Sequence, residues 1–253
     1  MAQDCKILNF SAVVLSVHPR RFQTTENILS KIFVSVVKET PILYKSLALQ
    51  SAFKSLSMFN GTTLSSTVDK KVFSNYVTFR KVIHEFANEP PSISNDLDWR
   101  FFFEDDVALH LGANYPACNI RKGIDLARTD GIIYLGICGP TCYTWSSEYH
   151  EGILYQRCYG TCAHAFGLTK WKATRILETL LWLQNDLCFD YRIVMDRGLY
   201  EYGRLIQPVL VVGSNLDNSQ YMKEKSKPHP GHCGLFFQDR ENNPSTVWRD
   251  GPP

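Results

Sequence analysis

Trp99-Arg100-Phe101-Phe102-Phe103-Glu104-Asp105-Asp106 is the stretch on which the fold turns. Four aromatic residues and one arginine come first, and three carboxylates follow without a break. A segment this aromatic reads as a strand covered on both faces, the condition met by a sheet flanked by helices. The acidic run then stands where α/β sheets place their ligands, beyond the carboxyl end of a strand. Three acids so close repel one another unless a cation or solvent relieves them. A hard divalent ion such as Mg²⁺ or Mn²⁺ takes one or two carboxylates together with substrate phosphates. Short acidic runs are also common as solvated turns, and spacing alone leaves that alternative open.

Working outward, further short apolar runs alternate with helical patterns. Residues 12–17, Ala-Val-Val-Leu-Ser-Val, form a first buried strand ended by His18-Pro19-Arg20-Arg21. Thr24-Thr25-Glu26 opens a helix through Ile28, Leu29 and Ile32, and Phe33 to Val37 reads as the second strand. Tyr44 to Phe59 has helical spacing, and Gly61 to Thr67 is a polar break. Tyr76, Phe79, Val82, Ile83 and Phe86 recur at steps of three and four, predicting a helix over 73–87. Beyond the acidic run, Ile132 to Leu135 is a strand closed by Gly136. Residues 165–168 form another, leading to Thr169 as the N-cap of a helix through Leu183. Trp171, Ile176, Leu177, Leu180 and Leu181 are its expected core side. Pro208 to Val212 supplies the last strand. The alternation predicts an α/β fold with a mostly parallel central sheet flanked by helices. Residues 1–222 make one domain, and 223–253, rich in Pro, Gly and Asn, read as a polar C-terminal arm or tail.

Composition sets the outer limits. The 253 residues are 44% hydrophobic and 13% aromatic, enough for a sizeable core and against disorder as the main state. Twenty-seven Lys and Arg against 25 Asp and Glu leave a net charge of +2, which argues against a nucleic-acid partner. No apolar run approaches the ~20 residues of a membrane helix, and the opening Met-Ala-Gln-Asp-Cys is no signal peptide. These features predict no membrane span and a cytoplasmic location.

Phe102-Phe103-Glu104-Asp105-Asp106-Val107 resembles the Glu-Asp-Asp motif of glycosyltransferase family 25, which includes lipooligosaccharide and collagen galactosyltransferases. Asp130-Gly-Ile-Ile-Tyr-Leu-Gly136 is similar to that family's strand ending in Leu-Gly. His164 to Ala173 resembles its aromatic strand that leads through Ser/Thr into an alanine-bearing helix. Asp190 falls where the family has an aspartate, and Pro208-Val-Leu-Val resembles its final strand. Order and spacing agree over roughly residues 12 to 220. The chain departs at Ser16-Val17-His18-Pro19-Arg20-Arg21, where the family has Asn-Leu-Asp-Arg, and lacks the family's Ser-His pair near Ser74 and Asn75.

The resemblance implies a single GT-A-like domain that moves a hexose, galactose or glucose, from a UDP-sugar to a glycan or glycoconjugate hydroxyl with inversion. Glu104 and Asp106 become the first metal ligands for Mn²⁺ or Mg²⁺, with His232 as a possible third. Asp105 touches the ribose or the ion, and Val17, Arg20, Arg21 and His164 are donor contacts. Asp190 is the candidate base for the acceptor hydroxyl, with Asp196 in reserve. Each has an ordinary alternative: solvated arginines, a hydrogen-bonded core histidine, or loop carboxylates. Trp145 and Tyr143 offer an apolar platform for a sugar face or simple packing.

The eight cysteines include two Cys-x-x-x-Cys units, Cys138/Cys142 and Cys158/Cys162. Their spacing suits a four-thiolate zinc, two disulfides or packed reduced thiols. Disulfides would point to a secretory lumen instead of the cytoplasm. Two other functions compete with the transferase. One is a zinc- or disulfide-stabilised binding module. The other is a nucleotidyltransferase, which also sets carboxylates around a divalent ion but for which no Gly-rich phosphate loop stands near Val17.

Overall fold

The computed structural model describes residues 6–43, 45–46, 67–90, 98–109, 115–142, 148–150, 153–186, 209–213, 232–234 and 236–238. The aromatic stretch is a strand, Trp99–Glu104, numbered β3 in chain order. Before it come β1 (Leu8–Leu15), α1 (Pro19–Leu29), β2 (Phe33–Glu39) and α2 (Thr67–Asn88). After it come β4 (Val107–Leu109), α3 (Pro116–Leu126), β5 (Ile132–Cys142), β6 (Glu148–His150), β7 (Ile153–Thr169) and α4 (Lys170–Asp186). β8 (Val209–Gly213), β9 (His232–Gly234) and β10 (Phe236–Gln238) complete the described chain.

β3 is buried on both faces, and its alternation divides the aromatics between two layers. Trp99, Phe101 and Phe103 look one way. Phe101 meets Phe33 at 4.9 Å between ring centroids, and Phe103 meets Phe236 edge-on at 5.1 Å. Phe102 looks the other way, stacking on Phe166 at 5.3 Å and touching Phe86 of α2. Leu29, Ala117, Ile120 and Ile124 of α1 and α3 join the first layer. On the second face α2 packs against α4, with Phe79 on Phe166.

The fold is α/β as expected, but the sheet is mixed and not mostly parallel. Among the described residues eight strands share one sheet, in the order β2-β1-β3-β7-β8-β5-β9, with β6 paired to β7. β1 runs parallel to β2 and β3, and β5 parallel to β8. β7 runs antiparallel to β3, β5, β6 and β8, and β9 antiparallel to β5. Apolar continuity reports burial of both faces and carries no information about strand direction, which is why the sequence pattern misled here. β4 and β10 form a separate antiparallel pair.

Several boundaries moved for identifiable reasons. α1 begins at Pro19, whose fixed φ and missing N–H suit the first helical position, and not at Thr24. α2 starts at Thr67, six residues before the start at Phe73 that the sequence predicts. α3, not anticipated from the sequence, begins at Pro116, after Tyr115 in the left-handed region at φ 52°. Thr169 caps α4 as expected, its Oγ1 accepting the Lys172 N–H at 3.3 Å. Trp171 is 38% exposed and so is not on the core side of α4, whereas Ile176 is fully buried. β5 does not close at Gly136 but continues to Cys142 with shifts of register around it. Within the expected C-terminal arm, β9 adds to the sheet edge and β10 buries Phe236 in the core. The helix expected over 44–59 falls almost wholly outside the described residues.

Candidate functional site

β1 and β3 are parallel neighbours, and Leu15 is in register with Glu104. Both strands therefore end side by side, and the segments that follow share one sheet edge. After β1 come Ser16, Val17, His18 and then α1. After β3 come Asp105 and Asp106 in a turn before β4. This edge of parallel strands is the geometry in which α/β sheets bind ligands.

The acidic run is not a solvated turn. Glu104 is 5% exposed, Asp105 1% and Asp106 0%. Carboxylates taken out of water need hydrogen bonds, a cation or a proton to compensate. Asp105 receives the first of these: the Ser16 hydroxyl donates to its Oδ2 at 2.6 Å. Its backbone carbonyl accepts from Thr25 Oγ1 of α1 at 3.1 Å. Arg21 lies 4.0 Å from Oδ1, the outer limit of an ion pair. Burial pushes the Asp105 carboxyl above the ordinary carboxylate range; the Ser16 hydrogen bond, Arg21 and His18 pull it back only in part.

The start of α1 is electropositive. His18 has an extended backbone and no side-chain cap, and the first turn carries no acid. Arg20 is exposed and Arg21 almost buried, both within one turn of the positive end of the helix dipole. Val17 is half-buried beside them. Val17, Arg20, Arg21 and the acidic turn thus belong to one edge of the sheet.

The other expected site residues lie elsewhere. His164 is fully buried on β7, with Nε2 3.3 Å from the Phe236 carbonyl oxygen, so its surroundings are those of a core histidine. His232 opens β9 in register with Cys138 of β5. Six residues further on, Gln238 of β10 pairs with Val107, next to Asp106. The C-terminal segment thus returns to the acidic turn. Asp190, Asp196, Tyr143 and Trp145 lie outside the described residues. Among the described residues no group of three His, Cys, Asp or Glu side chains gathers as a metal cage. Glu104 and Asp106 are both buried at this edge, and carboxylates joined by water and substrate phosphate are the kind of donor set Mg²⁺ and Mn²⁺ take.

The sequence did not single out Ser16 or Thr25 as site residues. The available signal was a small hydroxyl residue breaking an apolar strand one position before a turn. The cysteine pairs lie on strands, not in loops: Cys138 and Cys142 on β5, Cys158 and Cys162 on β7, with Cys142 directly opposite Cys158. Cys118 and Cys158 are each disulfide-bonded. Cys158 is therefore no thiolate ligand, and a four-thiolate zinc site including it does not exist in this fold. A cavity of about 240 Å³ lies between α2 and the β1–β3 face, lined by Glu39, Glu85, Glu89, Arg100, Ser11 and three valines. Around it Lys81 pairs with both Glu39 and Glu85, and Arg100 with Glu89, two cations against three carboxylates. No helix among the described residues is long and apolar enough to cross a membrane. No known family model matches the chain, and no curated protein matches it.

Proposed function

We propose that this chain is a metal-dependent inverting glycosyltransferase that moves a hexose from a UDP-sugar to a hydroxyl of a glycan or glycoconjugate. One observation carries the reading: buried Glu104 and Asp106 stand at the end of β3, next to the arginine-bearing start of α1 on the same sheet edge. Carboxylates and cations side by side suit a metal–diphosphate unit, in which the anion takes the helix end and the ion takes the acids. The order of motifs shared with glycosyltransferase family 25 supports the same assignment.

Glu104 and Asp106 would hold Mn²⁺ or Mg²⁺, which supplies charge to stabilise a departing nucleoside diphosphate. Arg20 and Arg21 would face the phosphates, and the covered strand end would exclude water from the donor. Asp190, with Asp196 as alternative, takes the acceptor proton in this scheme. The disulfide-bonded Cys118 and Cys158 favour an oxidising compartment over the cytoplasm as the place of action.

The test is thermal unfolding of the unmodified chain and of Asp106→Asn with nucleoside diphosphates and UDP-sugars, with and without Mn²⁺. A ligand at a hundred times its dissociation constant adds about 2.7 kcal/mol, a visible rise in melting temperature. The expected result is a Mn²⁺-dependent rise with uridine nucleotides that Asp106→Asn abolishes. No rise with any nucleotide overturns the proposal.

A further inference from the structure

We infer that Asp105 acts as a positioning residue for the phosphate-facing turn between β1 and α1, not as a ligand of the ion or the sugar nucleotide. The inference rests on the donor site proposed above and deepens it. Three polar contacts tie Asp105 back to the end of β1 and to α1. The Ser16 hydroxyl donates to Oδ2 at 2.6 Å, fully buried at both ends. Thr25, one turn past Arg21 and also fully buried, donates its hydroxyl to the Asp105 carbonyl at 3.1 Å. Arg21 itself lies 4.0 Å from Oδ1.

Ser16 extends the connection further. Its Oγ accepts the His18 N–H at 3.1 Å and lies 3.1 Å from the His18 carbonyl oxygen, fixing the turn that carries Val17 and launches α1. That carbonyl also accepts the Phe22 N–H, the first helical bond. A chain of short contacts thus runs from the end of β3 through Asp105 and Ser16 to the backbone that aims Arg20 and Arg21. Because α1 has no side-chain cap of its own, this latch is what orients its first turn. Asp105 and its two neighbours, Glu104 and Asp106, then divide the labour: the neighbours would hold the ion, and Asp105 fixes the turn that leads to the arginines.

The division is testable by measuring two affinities separately on the full chain. Mn²⁺ binding without nucleotide is read by electron paramagnetic resonance, and UDP binding with saturating Mn²⁺ by calorimetry. Both are measured well below the melting temperature of each variant. Ser16→Ala and Thr25→Val each remove one latch contact without touching a carboxylate. Each is expected to weaken UDP binding about tenfold, the scale of one buried hydrogen bond, with Mn²⁺ affinity unchanged. Asp105→Asn is expected to behave like Ser16→Ala, weakening UDP and sparing Mn²⁺. A role confined to stability lowers the melting temperatures but leaves the UDP affinities unmoved, and that outcome overturns the latch. Loss of Mn²⁺ binding in Asp105→Asn overturns it too, by making Asp105 a metal ligand. If the unmodified chain binds no nucleotide, the transferase reading falls and the latch with it. Nucleotide binding that survives Ser16→Ala and Thr25→Val undiminished removes the latch alone.

Discussion

Lys172, on the first turn of α4, is fully buried, and burial pushes its ammonium down to about 8, with Arg175 adding to the effect and Asp130 opposing it. Asp130 is already engaged by Arg157 at 2.5 Å, so it offers Lys172 only part of its charge. Between about pH 8 and the ordinary lysine value the unfolded chain holds a proton that the folded chain has released. Stability from this group therefore rises with pH across that window, and below it the buried charge is a cost. Lys172→Met, similar in length and uncharged, is expected to be more stable than the unmodified chain at pH 7 by about 2–3 kcal/mol. The difference should shrink toward pH 10.5, as denaturant unfolding across that range will show; a pH-independent difference contradicts the assignment. Nothing in the sequence flagged this lysine, because its burial comes from the packing of α4 on the sheet. The acidic run, by contrast, was legible: strand, position and charge all sit in eight consecutive residues. What those residues could not reveal was which acid is tied back to β1 and α1, since that depends on Ser16 and Thr25, 89 and 80 positions away in the chain.

At the level of elements, strands and helices declared themselves where burial is two-sided or stripe-like, as in β1, β3 and the second half of α2. They stayed hidden where a glycine or proline was read as a stop. Gly136 is the instructive case. It does not end β5; it makes room there for another side chain. A Cβ at this position would collide with the His164 ring and come within 2.5 Å of the Phe236 carbonyl oxygen. Three strands, β5, β7 and β10, meet over that one missing methyl. Gly136→Ala is expected to destabilise the fold by about 2–4 kcal/mol, the scale of core overpacking with a displaced hydrogen bond. Calorimetry measures the loss, and His164→Ala in the same chain should recover part of it by vacating the space. Pro19 taught the same lesson at a helix start, where the residue taken to end a strand is the one that begins α1.

Taken whole, the molecule joins two kinds of sheet at β3. On one side the β1–α1–β2 unit supplies parallel neighbours and the ligand edge; on the other, the long β7 supplies an antiparallel meander closed by the C-terminal strands. The fold class was readable because layers follow from apolar pattern. The relative direction of each pairing was not, because it follows from connections such as β5 to β7 that no local pattern encodes. The seam strand is hydrogen-bonded along both edges and covered by aromatic rings on both faces. In the language of solvent exchange, its backbone has no private route to water. The amide protons of Phe101, Phe102 and Phe103 should therefore exchange with deuterium only when the whole domain opens, tracking global stability as denaturant is added. Exchange there at a rate independent of denaturant would mean the strand opens alone. If it does not, the acidic turn is anchored to the last part of the protein to come apart. Its carboxylates would then keep their spacing through every lesser fluctuation, ready for a ligand before one arrives.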